Sequence, residues 1–231
     1  MIKRIVRKIN SLLKRFNIIK LHKPNLNDFN RLRDNYKKYK DVKLHFGCGP
    51  RVLKDWINID LVFEPYENYL KYYGEKYYPE SVRGNRNDFY AIDITKNGLP
   101  LPDGSVDVVF HEDFIEHLDQ KDQIIFLSEV FRVLKKGGIH RINTPDLLSS
   151  MKRFSDFSLG YKGVYQDEWN KHVHKNIFTK ESLKEIAFAI GYADVLFNSK
   201  DNSVSELIPK EYRPDPDDRP LDGNIFADLI K

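Results

Sequence analysis

One cysteine, Cys48, serves the whole of the 231 residues. That count excludes an internal disulfide framework and makes a reducing compartment the simpler setting. No run of 18 apolar residues occurs, so no membrane-spanning helix is expected, and no continuous apolar centre marks a secretory signal. The expected location is the cytoplasm, free or at the inner face of a membrane. Two phosphate-binding signatures are missing as well, GxGxxG and GxxxxGK[ST]. Neither an internal repeat nor a low-complexity tract is present, and the 41% apolar content is low but sufficient for one buried core.

Acidic residues are absent before Asp28, whereas eight of the 38 basic residues fall there, which leaves 30 bases against 34 acids from residue 24 onward. The net charge of +4 thus conceals a slightly acidic body, and no nucleic-acid partner is expected.

What is present alternates. "VKLHF" (42–46), "WINID" (56–60), "FYAID" (89–93), "VDVVF" (106–110), "IHRIN" (139–143), "ADVLF" (193–197) and "IFADLI" (225–230) read as strands, the first four each closed by a polar turn. Between them, Ile124, Leu127, Val130, Phe131 and Leu134 repeat at helical spacing, with Gly137 and Gly138 expected as the C-terminal breakers. A second helix is expected after a Thr179 cap, with an apolar face of Leu183, Ile186, Ala187 and Ile190 and a stop at Gly191. Strands alternating with helices predict a parallel α/β sheet, whose ligands sit beyond the carboxyl ends of the strands.

At those ends stand Gly47 and Gly49, Asp60, Asp93, and His111 with Glu112. Glycines let the backbone approach a ligand, Asp60 can accept from both hydroxyls of a ribose, and Asp93 can accept from an adenine amine. Asp60 follows Gly49 by 11 residues, against about 20 in the dinucleotide pattern. With no phosphate cradle and little room for a first helix, an adenosine without phosphate fits better than NAD or ATP.

In this order, "LHFGCGP", "WINIDL", "DITKNGLPLPDGSVDVVFHEDFIEHL", "EVFRVLKKGG" and "HKNIFTKESLKEIAFAIGY" resemble the class I S-adenosylmethionine-dependent methyltransferases, in particular the small type 11 members. The resemblance runs from Val42 to Lys231. It implies a Rossmann-like, roughly seven-stranded, mostly parallel sheet with helices on both faces and a shortened first crossover helix. It also implies S-adenosyl-L-methionine as cofactor, held by Phe46, Gly47, Cys48, Gly49, Asp60, Leu61, Asp93 and Ile94, with His111 and Glu112 beside the reacting methyl. One departure is His45, which stands where the family often carries an acid.

A positioned base adds about 10²- to 10⁴-fold to such a transfer, and histidine is the natural one near neutral pH. His111, Glu112, His172 and His174 are the expected catalytic candidates. His172 and His174 are spaced to suit a metal, but no third ligand is evident and no metal is expected. Glu116 and His117 read as helix-capping residues or as catalytic ones, and the tyrosines of 66–80 as packing or as a stacking platform. No "DPPY"-like or "NPPY"-like tetrapeptide follows the fourth strand, so oxygen is the expected methyl acceptor, on a small molecule or glycan of the kind used in surface polysaccharides. A catalytically silent scaffold of the same fold is the alternative reading.

Residues 2–20 form the other sharp pattern. On a helix their apolar side chains, Ile18 apart, fall within an arc of about 140° opposite the Lys and Arg up to Arg15. The division expected is a basic amphipathic helix in 1–24, a connector in 25–41 and the catalytic domain in 42–231. The apolar face suits the protein's own body, a second subunit or an anionic membrane surface, or the segment is an organelle-targeting peptide.

Overall fold

The computed structural model of the chain describes residues 26–71, 73–153, 165–211 and 223–231. The amphipathic segment 2–20 lies outside these residues.

All seven expected strands form: β1 (Lys43–Phe46), β2 (Ile57–Asp60), β3 (Phe89–Ala91), β4 (Val106–Glu112), β5 (Leu134–Pro145), β6 (Asp194–Phe197) and β7 (Asn224–Ile230). They make one sheet in the order β3-β2-β1-β4-β5-β7-β6. The first five strands pair in parallel, and β7 runs antiparallel to both neighbours. Strand order therefore reverses between β1 and β4, the position where open α/β sheets part their loops and bind ligands.

The crossover from β1 to β2 contains no helix. Its face of the sheet is covered instead by the long β2–β3 connection, which carries α2 (Tyr66–Leu70). Tyr69 and Tyr78 pack there with Leu53, Trp56, Val108, Phe110 and Ile139. The Tyr78 hydroxyl donates to the Val52 carbonyl at 2.6 Å, and the Arg83 guanidinium lies 3.7 Å over the Tyr66 ring. The tyrosine-rich run is thus used in packing, where an aromatic body with a polar tip can cover apolar surface and still satisfy its hydroxyl.

On the other face, α4 (Gln120–Val133) starts at Asp119, whose side chain accepts from the Asp122 N–H, and buries Phe126, Leu127, Val130 and Val133. The helix stops at Val133 and not at the glycines. Gly137 and Gly138 lie inside β5, where the pairing jumps from Val106↔Leu134 to Val108↔Ile139. Gly137 takes φ +76, and a Cβ on Gly138 would meet the Lys135 carbonyl oxygen at 2.9 Å, so the pair makes a bulge and not a helix cap. The second expected helix, α6 (Lys180–Ile190), has the expected Thr179 cap, reciprocated by Ser182, and ends at Gly191 with φ +122.

The expected connector 25–41 is largely helical: α1 spans Leu26–Asn35 and a 3₁₀ turn follows at Tyr36–Lys38. Leu32 is fully buried in the main core. Asp28 accepts from the Ala91 N–H at 3.0 Å and from Arg86 at 3.1 Å, so α1 caps the β3 edge of the sheet.

Candidate active site

The glycine turn after β1, the ends of β2 and β3 and the loop after β4 enclose a cavity of about 440 Å³, lined by Phe46, Gly47, Asp60, Leu61, Asp93, Ile94, Thr95, Asp113, Phe114, His117 and Lys175 among others. That volume is in the range of small-molecule sites, roughly 300–1,000 Å³. Gly47 has φ +59, and a Cβ there would come within 2.7 Å of Phe114. Both the backbone conformation and the close approach demand glycine. Gly47→Ala is expected to weaken S-adenosylhomocysteine binding by about tenfold or more, since the left-handed conformation alone costs roughly 1–2 kcal/mol; calorimetry on the refolded variant checks this.

Asp60 ends β2 half-buried. Its Oδ2 accepts from the Gly49 N–H at 2.9 Å and its Oδ1 from the Leu61 N–H at 2.6 Å. Burial raises its pKa above the ordinary carboxylate value, against the pull of these two donors. Asp93 stands one strand further out. Burial works against its charge, but the hydrogen bonds from Lys96 and Thr95 outweigh it and leave the pKa lowered. Both carboxylates and Gly47 line the cavity. The residues present fit an adenosine with an amino-acid tail: a close backbone approach at Gly47, a hydrogen-bond acceptor for a diol at Asp60 and one for an amine at Asp93.

Three expected contacts do not reach the cavity. The Cys48 side chain turns into a small apolar cluster with Val52 and Phe89, where burial pushes the thiol pKa up. Gly49 acts through its N–H on Asp60. His111 is fully buried between Phe114, Phe126 and His140. Neither of its ring nitrogens has a hydrogen-bond partner among the described residues, and burial lowers its pKa to about 3. A base needs access to a proton, so His111 is a core residue. His111→Phe is expected to leave S-adenosylhomocysteine affinity within about threefold and stability equal or higher, because an unpaired buried polar ring is replaced by an apolar one; calorimetry and a thermal melt check both.

Glu112 is not at the cavity either. Fully buried, it faces the Arg51 guanidinium at 3.2 Å and accepts from the Asn143 amide at 3.2 Å. Arg51 donates further to the carbonyls of Tyr77 and Lys210. This buried network ties the β1–β2 crossover to the end of β4. His45 lies on the same face, stacked on Phe110 and hydrogen-bonded with Asn58, with its pKa lowered to about 3 by burial and then by Arg51.

The other two histidines belong to the segment after the π-helical turn Tyr165–Lys171. His172 is exposed and stacks on His174, with ring centroids 5.5 Å apart. His174 is buried, and its Nδ1 lies 2.7 Å from the Glu168 carboxylate. Backbone N–H groups of Lys175 and Asn176 donate to the Glu116 carbonyl, which holds this segment against the loop after β4. His117, on the cavity wall, comes with its ring centroid 5.0 Å from that of His174. Sequence reasoning singled out Glu116 and His117 only as helix-capping or catalytic residues, and Lys175 not at all; only folding brings residues so far apart in the chain to one edge of the cavity.

The family model described as a methyltransferase domain matches residues 44–142, from β1 through most of β5. That stretch of the chain is similar to the methyltransferase domains the model describes. A protein of Mycolicibacterium smegmatis, described as a probable S-adenosylmethionine-dependent methyltransferase, is 36% identical over 113 residues, 48% of this chain and 40% of its own. One of Mycobacterium tuberculosis with the same description is 47% identical over 97 residues, 42% of this chain and 30% of its own. The chain thus spans well under half the length of these curated relatives. The crystal structure of an S-adenosylmethionine-dependent methyltransferase from Archaeoglobus fulgidus superimposes with a TM-score of 0.50 at 19% identity, covering 89% of this chain and 93% of that one, and shows the same fold. S-adenosyl-L-methionine is the cofactor of the methyltransferase family, and Gly47, Asp60 and Asp93 stand where an adenosine can be held.

Proposed function

We propose that the chain transfers the methyl group of S-adenosylmethionine to a hydroxyl oxygen of a small molecule or glycan. The observation that carries this reading is the cavity at the β1/β4 switch point, lined by Gly47, Asp60 and Asp93. Asp60 holds the ribose hydroxyls, Asp93 and the Ile94 backbone hold the adenine, and Phe46 and Leu61 pack on the cofactor. The methyl then lies toward Phe114, His117 and Lys175, the edge at which an acceptor enters. There the acceptor oxygen gives up its proton to water and forms a bond to the methyl carbon. The carbon–sulfur bond breaks, its electron pair stays on sulfur, and S-adenosylhomocysteine is left. Alignment of oxygen and methyl supplies most of the rate, up to roughly 7–11 kcal/mol in well-oriented systems. Neither His172 nor His174 lines the cavity; His174 stands behind His117, with ring centroids 5.0 Å apart.

A hydroxyl acceptor is supported by the absence of an "NPPY"-like tetrapeptide after β4, where the chain reads "HEDFIEHL". A polar acceptor such as a sugar is supported by the charged rim of Asp113, Asp122 and Lys175. No described helix is long and apolar enough to cross a membrane. The basic, one-sided pattern of residues 2–20 supports a cytoplasmic protein docking on an anionic membrane surface. The test is transfer of radiolabelled methyl to a panel of sugar nucleotides and lipid-linked sugars, with amine-bearing analogues alongside. Label in a base-stable ether supports the reading; label in amines alone overturns it.

A further inference from the structure

Glu116, His117 and His174 each offer one ligand atom, and all three atoms lie within 4.8 Å of one another. The His174 Nε2 is 3.9 Å from the Glu116 Oε1, too far for a hydrogen bond. In a tetrahedral zinc site with bonds of about 2.0–2.2 Å, neighbouring ligand atoms stand about 3.4 Å apart. A small closure of side chains therefore suffices to bring these three to a shared ion.

The surroundings are built for this. Glu168 holds the Nδ1 of His174 at 2.7 Å and is itself bonded by the Ser150 hydroxyl. A carboxylate on one ring nitrogen fixes the tautomer that leaves the other nitrogen as a lone-pair donor, as metal-bound histidines require. The Thr144 hydroxyl donates to the Glu116 Oε2 at 3.0 Å and so orients the other oxygen toward His174. Val173, a β-branched residue, takes φ +59, a conformation that costs energy and sets His174 on Glu116.

We propose that Glu116, His117 and His174 bind a divalent transition ion of the zinc type at the acceptor edge of the cavity. Two imidazoles and one carboxylate select such an ion over magnesium or calcium, and three protein ligands leave a fourth position open. Because His117 also lines the cavity, that position serves the acceptor hydroxyl: coordination lowers the pKa of the bound oxygen, and its proton passes to water. This role rests on the methyltransferase reading of the cavity; the metal site does not.

The full chain, stripped with a chelator and dialysed, is titrated with zinc against a chromophoric competitor. One equivalent is expected. His117→Ala, at an exposed position, is expected to lose about 100-fold or more in affinity, and Glu168→Gln, which touches no metal, about 10–100-fold. Asp60→Ala, whose effect falls on S-adenosylhomocysteine binding, is expected to keep the zinc equivalent, so a failure of the cofactor reading shows in one titration and a failure of the metal site in the other. Absence of a stoichiometric zinc equivalent in the unaltered chain, or equal zinc affinity in both zinc-site variants and the unaltered chain, overturns the proposal.

Discussion

Asp60→Ala is expected to weaken S-adenosylhomocysteine binding by about 100-fold or more while the domain stays folded. The carboxylate offers a ribose two charge-assisted hydrogen bonds, each worth roughly 1.5–3 kcal/mol, and each 1.4 kcal/mol is a factor of ten. Its removal also frees the Gly49 N–H that now fixes the glycine turn. The same residue predicts a pH dependence. Burial raises the pKa of Asp60 in the folded chain, so its charged form is disfavoured by folding: the stability penalty is present above the unfolded pKa and relieved as pH falls. Binding has the opposite sign, since the ribose needs the charged acceptor. Affinity is expected to fall as pH drops, starting above the ordinary aspartate range, and Asp60→Asn is expected to flatten that fall. Calorimetry across pH, with a thermal melt at each point, separates the two trends.

Arg51→Met is expected to cost about 3–5 kcal/mol of stability, the usual result of removing one partner from a buried ion pair. The guanidinium and the Glu112 carboxylate are both fully buried, so Glu112 then keeps a charge in low dielectric with its facing cation gone. Adding Glu112→Leu is expected to recover at least half of the loss, because paired apolar replacements of a buried ion pair are often neutral. Denaturant unfolding of the single and double variants measures this. The double variant is also expected to bind S-adenosylhomocysteine, since neither residue lines the cavity; abolished binding in a folded double variant would return Glu112 to the active site.

The strands were legible because each is a short apolar run between polar turns, and the glycines and carboxylates at their ends were legible as a row because parallel topology sets them side by side. The facing of side chains was not. β4 is buried on both faces, so "VVFHE" carries no alternation from which to read that His111 points into the core and Glu112 toward Arg51. The α1 helix was hidden by its polar composition: in "LNDFNRLRDN" only Leu26, Phe29 and Leu32 are apolar, and Asp28 is spent on the sheet edge. Gly137 and Gly138 misled for a related reason, since glycine at positive φ serves a strand bulge as readily as a helix end. At the acceptor edge, His174 was visible as a histidine, but its relation to Glu116, His117 and Glu168 depends on the loop that Val173 bends.

Isothermal titration of the full chain with S-adenosylhomocysteine, and with NAD alongside, tests the central claim most directly, namely that the cavity over Gly47, Asp60 and Asp93 holds an adenosine without phosphates. The account predicts one site of micromolar affinity for S-adenosylhomocysteine and none for NAD. Absence of S-adenosylhomocysteine binding by a folded chain, or comparable binding of NAD, would contradict it.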